Sequence, residues 1–168
     1  NNELKAEKSK NKNQKLIGLR FFSVYGPWGR PDMAYFKFTK NIILNKPIDL
    51  FGDNYRDMTF IDDIVSILSK LLKDFIKGNI DLYFKNSRVN STVFNIGAGS
   101  RVKTSELIKI IEKLNKKKAL IVHKPYNDFE MRSTLSNSKK IIKLTKHKRF
   151  KKILSGMKIF NSWFRNYK

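Results

Sequence analysis

Gly18-Leu19-Arg20-Phe21-Phe22-Ser23-Val24-Tyr25-Gly26-Pro27-Trp28-Gly29-Arg30-Pro31-Asp32 is the stretch on which the reading of this chain turns. Leu19, Phe21, Phe22 and Val24 make the short apolar and aromatic run of a core strand, and Gly26-Pro27 and Arg30-Pro31 end it in a turn-rich loop. The loop projects Trp28, Arg30 and Asp32 from the end of the strand, the place where open α/β sheets take their ligands. An ordinary strand-to-loop corner with a solvated arginine fits the same spacing, so neighbouring sequence has to decide between the two.

Upstream, Asn1 to Lys15 is polar, with Leu4 and Ala6 its only apolar residues, and residues 1–17 read as a remnant helix or a disordered basic tail. Downstream, Tyr35, Phe38 and Ile42 with Phe36 and Ile43 have amphipathic helix spacing, closed by Pro47. Ile48–Gly52 is a short strand, Gly52-Asp53-Asn54 a turn, and Arg56–Ile61 a second short strand. Asp62 or Asp63 is expected to cap a helix from Ile64 to Phe75, whose apolar stripe includes Ile64, Ile67, Leu68 and Leu71. Asp81 to Asn90 reads as a polar link before a strand at Thr92–Ile96. A helix from about Thr104 to Lys116, a strand at Ala119–His123, a short helix capped near Ser136 or Asn137, and a last helix from Ile153 to Trp163 and Phe164 follow. Strands and helices alternate to the end, which argues an α/β fold over a bundle or a sandwich. No internal repeat is visible.

The composition bounds the function. At 168 residues and 40% hydrophobic content the chain can build one modest core or a piece of a larger domain. It has no cysteine, so neither disulfides nor thiolate zinc sites are available and a cytoplasmic setting is the default. His123 and His147 stand alone in lysine-rich sequence, without a metal-ligand spacing. No apolar run approaches the roughly 18 residues of a membrane span, and the lysine-rich start lacks the apolar stretch of a signal peptide.

A formal net charge of +22 suggests a nucleic-acid binder. Its cations, however, are mostly Lys, scattered among many Asn, Ile and Phe, a bias expected of a genome rich in A and T. No RNP-like, helix-turn-helix or zinc-finger signature accompanies them, so nucleic acid is an unlikely partner. The first residue is Asn1 rather than Met, as in a processed chain or a fragment.

Gly97-Ala98-Gly99, between a strand and a helix, invites comparison with a dinucleotide-binding G-x-G-x-x-G. Val102 stands where the third glycine belongs, and His123-Lys124 stands where a ribose needs an acidic residue. The segment reads as a tight strand-to-helix turn.

Taken together, Gly18 to Asp32, Phe36-Lys37-Phe38-Thr39-Lys40, Lys46-Pro47-Ile48, Arg56-Asp57-Met58-Thr59-Phe60-Ile61-Asp62-Asp63-Ile64 and Phe94-Asn95-Ile96-Gly97 closely resemble the C-terminal half of nucleotide-sugar epimerases. These belong to the extended short-chain dehydrogenase/reductase family, and UDP-glucuronate 4-epimerases are the nearest look-alikes. The resemblance implies an α/β fold: the last part of a Rossmann-type parallel sheet, with its final core strand at about 18–25, plus a small α/β lobe that binds the nucleotide sugar, together spanning 18–168. The family's glycine-rich cofactor loop and Tyr-x-x-x-Lys pair are not in this sequence. The resemblance therefore implies a substrate-binding half, inactive alone and completed by an N-terminal Rossmann half that binds most of the NAD. In the intact family, oxidation at the sugar C4 gives a keto intermediate that is re-reduced from the other face, and members are often homodimers. A non-catalytic or decayed nucleotide-sugar-binding fragment is the alternative.

Residue by residue, the resemblance implies that the Phe22 backbone borders the nicotinamide and that Ser23 sits near the sugar. Arg30 would clamp a sugar carboxylate, since its planar fork suits bidentate pairing. Met33 and Ala34 would open a helix whose N–H groups favour a diphosphate. The main chain of Asp49 and Phe51 would read the uracil, and Arg56 and Arg132 would hold the diphosphate. Strand Leu19–Val24 would be buried on both faces in a complete sheet, leaving an apolar edge when cut loose.

Overall fold

In chain order the elements are β1 (Leu16–Phe21), β2 (Ser23–Tyr25), α1 (Ala34–Ile43), β3 (Pro47–Phe51), β4 (Tyr55–Phe60), α2 (Ile61–Ile76), β5 (Ser91–Ile96), β6 (Arg101–Lys103), α3 (Thr104–Asn115), β7 (Leu120–Lys124), α4 (Lys139–Thr145) and α5 (Ile153–Asn166). The structure is a computed structural model that describes residues 14–85, 91–126 and 131–167. Most of the expected tail, the end of the polar link and Asn127-Asp128 lie outside the described residues.

The run expected as one strand over Leu19–Val24 is two. It breaks at Phe22, and the break changes partners: β1 lies parallel to β5, with Leu19 beside Phe94, whereas β2 lies parallel to β4, with Tyr25 beside Phe60. Phe22 donates its N–H to the Ile96 carbonyl at 3.0 Å, so the crossing still satisfies its backbone donor. β4 also pairs antiparallel with the unforeseen β6, and β3 pairs parallel with β7. The Gly52-Asp53-Asn54 turn therefore joins two strands that do not pair with each other.

The burial on both faces expected of a complete sheet is not what β1 has in this chain, where one side is left open as expected of a strand cut loose. Ile17 and Leu19 pack against Ile64, Ile67, Phe94 and Ile141, but Gly18, Arg20 and Phe21 are exposed. Only one face has a helix layer, supplied by α2 and α4, and β5 is its one ladder partner among the described residues. The larger core is a separate cluster, where Phe36, Phe38 and Ile42 of α1 join Leu107, Ile108 and Ile111 of α3 and Met157 and Phe160 of α5. The short-period apolar spacing of each helix thus buries one stripe, as its sequence dictates.

One capping expectation fails in an instructive way. α2 begins at Ile61, so Asp62 and Asp63 sit inside its first turn and no side chain caps it. There they still complement the positive helix end. Asp63 is buried and accepts the Lys151 N–H at 2.8 Å, tying the approach of α5 to α2. At α4, expected to be capped near Ser136 or Asn137, Asn137 Oδ1 accepts the Lys139 N–H at 3.4 Å, while Ser138 at the cap position spends its hydroxyl elsewhere, accepting the Gly97 N–H at 2.9 Å. The polar link contains a 3-10 turn at Asn79–Tyr83, because Tyr83 is buried and donates its hydroxyl to Asp74 at 2.7 Å.

Candidate functional site

Two connected concavities lie where the opening stretch leaves the sheet. The larger, about 750 Å³, is walled by the start of β2, the start of α1, β3, β4 and the segment around Met131 and Thr134. It gathers Ser23, Met33, Ala34, Asp49, Phe51 and Arg56, six of the eight residues expected to touch substrate. The smaller, about 330 Å³, follows the loop itself and is lined by Phe22, Ser23, Trp28, Arg30 and Met33 among others. Ser23 and Met33 border both.

Local sequence explains each placement. Ser23 follows the Phe22 break, at the first residue of β2. In β3 the residues alternate strictly, Ile48 and Leu50 buried and Asp49 and Phe51 exposed, so the latter two face away from the core. Met33 occupies the cap position of α1 with no side-chain cap and no acidic residue in the first turn, which leaves the helix end electropositive. Arg56 of β4 is held across the cleft floor: its guanidinium donates to the Met131 carbonyl at 2.5 Å and to the Tyr55 carbonyl at 3.0 Å.

Arg30 is not an open fork. Its Nε donates to Asp32 Oδ1 at 3.0 Å and its Nη2 to Asp32 Oδ2 at 2.5 Å, a bidentate pair at the solvent-exposed rim. That hydrogen bonding raises the arginine and holds the Asp32 carboxyl below its ordinary range. Trp28, two residues before, has a left-handed φ of 61° and is 80% exposed, its ring against Trp163 at 5.3 Å. Behind the loop Tyr25 and Tyr35 are buried, and burial pushes both phenols up. Neither is an ionisable base at neutral pH.

Arg132 stands apart from the other expected residues. It lines neither concavity; its guanidinium lies over the Tyr126 ring at 5.2 Å, and its carbonyl accepts the Tyr55 N–H. Met131, its neighbour, is the one that reaches the cleft.

Sequence reading missed the carboxylates that frame the site. Asp57 is fully buried and accepts the Ser136 N–H at 2.8 Å and the Gly99 N–H at 3.1 Å. Thr59 accepts the Ala98 N–H at 2.9 Å. Every amide of Gly97-Ala98-Gly99 is thus taken by a side-chain oxygen, and this turn offers no cradle to a pyrophosphate. Asp53 receives the Ser105 N–H at 2.9 Å and its hydroxyl at 2.8 Å, capping α3 from a distant turn. Burial alone would raise Asp53, but those bonds and Lys103 outweigh it and hold the carboxyl below its ordinary value. The one available signal was Asp57 itself, an acidic residue in the interior of a short strand, between Arg56 and Met58. Among the described residues no cluster of His, Asp and Glu could hold a metal, and no helix is long and apolar enough to cross a membrane.

The chain carrying this cleft matches a known family. A family model described as NAD dependent epimerase/dehydratase matches residues 3–97, more than half of the chain. The chain belongs to this family. NAD is the family's cofactor. An uncharacterised protein of Methanocaldococcus jannaschii is 41% identical over 153 residues, covering 89% of this chain and 43% of the relative. UDP-glucuronate 4-epimerase 3 of Arabidopsis thaliana is 39% identical over 159 residues, covering 90% of this chain and 37% of that enzyme. Among solved structures, the UDP-glucuronic acid 4-epimerase from Bacillus cereus, in complex with UDP-glucuronic acid and NAD, aligns with a TM-score of 0.73 at 27% identity, over 88% of this chain and 44% of that one. This family member thus has the mixed α/β fold of the Rossmann-like epimerases and spans less than half the length of the relatives it matches.

Proposed function

We propose that the chain supplies the substrate grip of an NAD-dependent UDP-glucuronate 4-epimerase, with the cleft between α1, β3 and β4 holding the UDP-sugar. The observation that carries this is convergence: Ser23, Met33, Ala34, Asp49, Phe51 and Arg56, scattered over some thirty residues, line one concavity. The electropositive start of α1 and the Arg56 guanidinium bracket a diphosphate from two sides. β3 spends one edge on β7, and its other edge borders the cleft along Pro47–Gly52, where main-chain groups can read a pyrimidine. Ser23, at the meeting of the two concavities, orients the sugar through a hydroxyl that both donates and accepts. Arg30 answers a carboxylate at the rim.

For NAD, the fit is partial. Phe22 at the strand break presents its backbone toward the smaller concavity and suits the edge of a nicotinamide, but the Gly97-Ala98-Gly99 amides are already engaged. When bound, the nicotinamide would accept and return a hydride. This chain's residues bind and orient the sugar against it. With no Tyr-x-x-x-Lys pair in the sequence, the chain alone turns over no substrate.

Calorimetric titration with UDP-glucuronate, UDP-glucose and duplex DNA at two salt concentrations tests the reading. UDP-glucuronate should bind most tightly, Arg56→Ala should weaken both UDP-sugars, and Arg30→Ala should weaken the uronate selectively. DNA binding that falls steeply with salt, without any UDP-sugar response, would refute it.

A further inference from the structure

The Arg30–Asp32 pair carries a further inference, which rests on the nucleotide-sugar reading of the cleft. We propose that Asp32 is a built-in competitor for the Arg30 fork, so that a sugar enters the carboxylate subsite only by exchanging its own carboxylate for that of Asp32. Both oxygens of Asp32 are engaged, at 3.0 Å by Nε and 2.5 Å by Nη2, which is the bidentate geometry a uronate carboxylate would need for itself. Pro31 stands between the two residues, and Met33 donates its N–H to the Arg30 carbonyl at 3.2 Å, so the short loop holds the fork and its occupant in register. The pair also spans the two concavities: Arg30 lines the smaller and Asp32 the larger. It is exposed, with relative side-chain accessibilities of 77% and 55%, so nothing buries the exchange and solvent screens it.

The consequence is selectivity by exchange. A neutral hexose has no group that can replace Asp32 on a guanidinium, and it leaves the internal pair standing. A uronate breaks one ion pair and forms another of the same geometry, so its net advantage over the hexose is smaller than a vacant arginine would give. Removing the Asp32 charge should therefore help the uronate and leave the hexose alone.

The test is a double-mutant cycle on the chain, read by calorimetric titration with UDP-glucuronate and UDP-glucose. Asp32→Asn should tighten UDP-glucuronate by about 1.4- to 5-fold, the worth of an exposed ion pair, with UDP-glucose unchanged. In an Arg30→Ala background the same substitution should give no gain. In the free protein, Asp32→Asn should also speed hydrogen exchange at Arg30 Nε. An unchanged or weaker uronate affinity in Asp32→Asn, an equal gain for both sugars, or a gain that survives Arg30→Ala overturns the competitor. If UDP-glucuronate binds in an Arg30-dependent way but Asp32→Asn gives no gain, the competitor alone falls. If no variant responds to either UDP-sugar, the nucleotide-sugar reading falls and the competitor with it.

Discussion

Gly156→Ala sets two effects of opposite sign against each other, and the structure decides between them. Gly156 lies in α5, where its N–H makes the ordinary helical bond to the Lys152 carbonyl at 3.1 Å. On helix propensity alone, alanine would gain about 1 kcal/mol there. The added methyl, however, would stand 2.1 Å from Tyr25 Oη, 2.7 Å from Tyr25 Cζ and 2.8 Å from Phe60 Cδ2. Tyr25 and Phe60 are each 1% exposed and meet edge to face at 5.4 Å within the cluster that also buries Met157 and Phe160, so relief requires moving a ring out of a packed core. Overpacking of this severity belongs at the upper end of the usual cost, about 3 kcal/mol, and leaves a net loss of about 2 kcal/mol.

Urea unfolding followed by the fluorescence of Trp28 and Trp163 reads that loss. With a slope of about 2 kcal/mol per molar, typical of a chain this size, the midpoint should fall by about 1 M without a change in slope. Tyr25→Phe removes the nearest atom at the expense of a weak 3.5 Å bond to the Ile153 carbonyl, so Gly156→Ala should cost less in that background. Because Tyr25 also lines the smaller concavity, UDP-glucuronate affinity should drop with Gly156→Ala and recover in part in the double variant. A Gly156→Ala chain as stable as the parent, or more stable, would refute the close packing of α5 on β2.

Tyr83→Phe deletes a 2.7 Å hydrogen bond to a buried carboxylate and should cost about 1.5–3 kcal/mol in the same assay. Lys70 first and then Tyr83 hold the Asp74 carboxyl below its ordinary value, so its contribution is present above the unfolded carboxylate range and is lost as pH falls through the lowered folded value. In Tyr83→Phe that acid-limb loss should be shallower, as unfolding measured from neutral to acid pH will show. Asp53→Ala removes the distant cap of α3 and should cost about 1 kcal/mol; the lowered Asp53 carboxyl gives the same sign, so the variant should also lose less stability on acidification. Arg56→Ala should weaken UDP-glucuronate and UDP-glucose equally, by about 10-fold or more, as expected of a charge-assisted diphosphate contact; a selective effect on one sugar would place Arg56 elsewhere.

The α/β class was legible because it rests on local pattern: apolar periodicity in α1, α2 and α3, and Gly-Pro punctuation after β2. What escaped was long-range. Phe22 continues an apolar run in sequence, and only the separate partners of β1 and β2 break it. Asp57 meets Ser136 across 79 residues, and no spacing rule reports such a bond. Asp62 and Asp63 carry the chemistry of a cap, but Phe60 and Ile61 are already drawn into β4 and α2, so the helix starts one turn early. The placement of Arg132 was illegible for a related reason: Ser133 bridges Tyr55 in parallel, Met131 lines the cleft and Arg132 lies over Tyr126.

If the cleft holds a UDP-sugar as proposed, Arg30 and Arg56 would set its selectivity by differences rather than by sums. Arg56 already donates to two carbonyls and Arg30 to both oxygens of Asp32, so an entering oxyanion replaces acceptors instead of meeting bare charge. For Arg56 the displaced partners are neutral carbonyls, and a charged phosphate oxygen is the stronger acceptor, so exchange favours any UDP-sugar. For Arg30 the displaced partner is itself a carboxylate, so only a ligand carrying an equivalent charge can compete. On that proposal the same guanidinium chemistry would give general affinity at Arg56 and discrimination at Arg30, and the resident acceptor would set which.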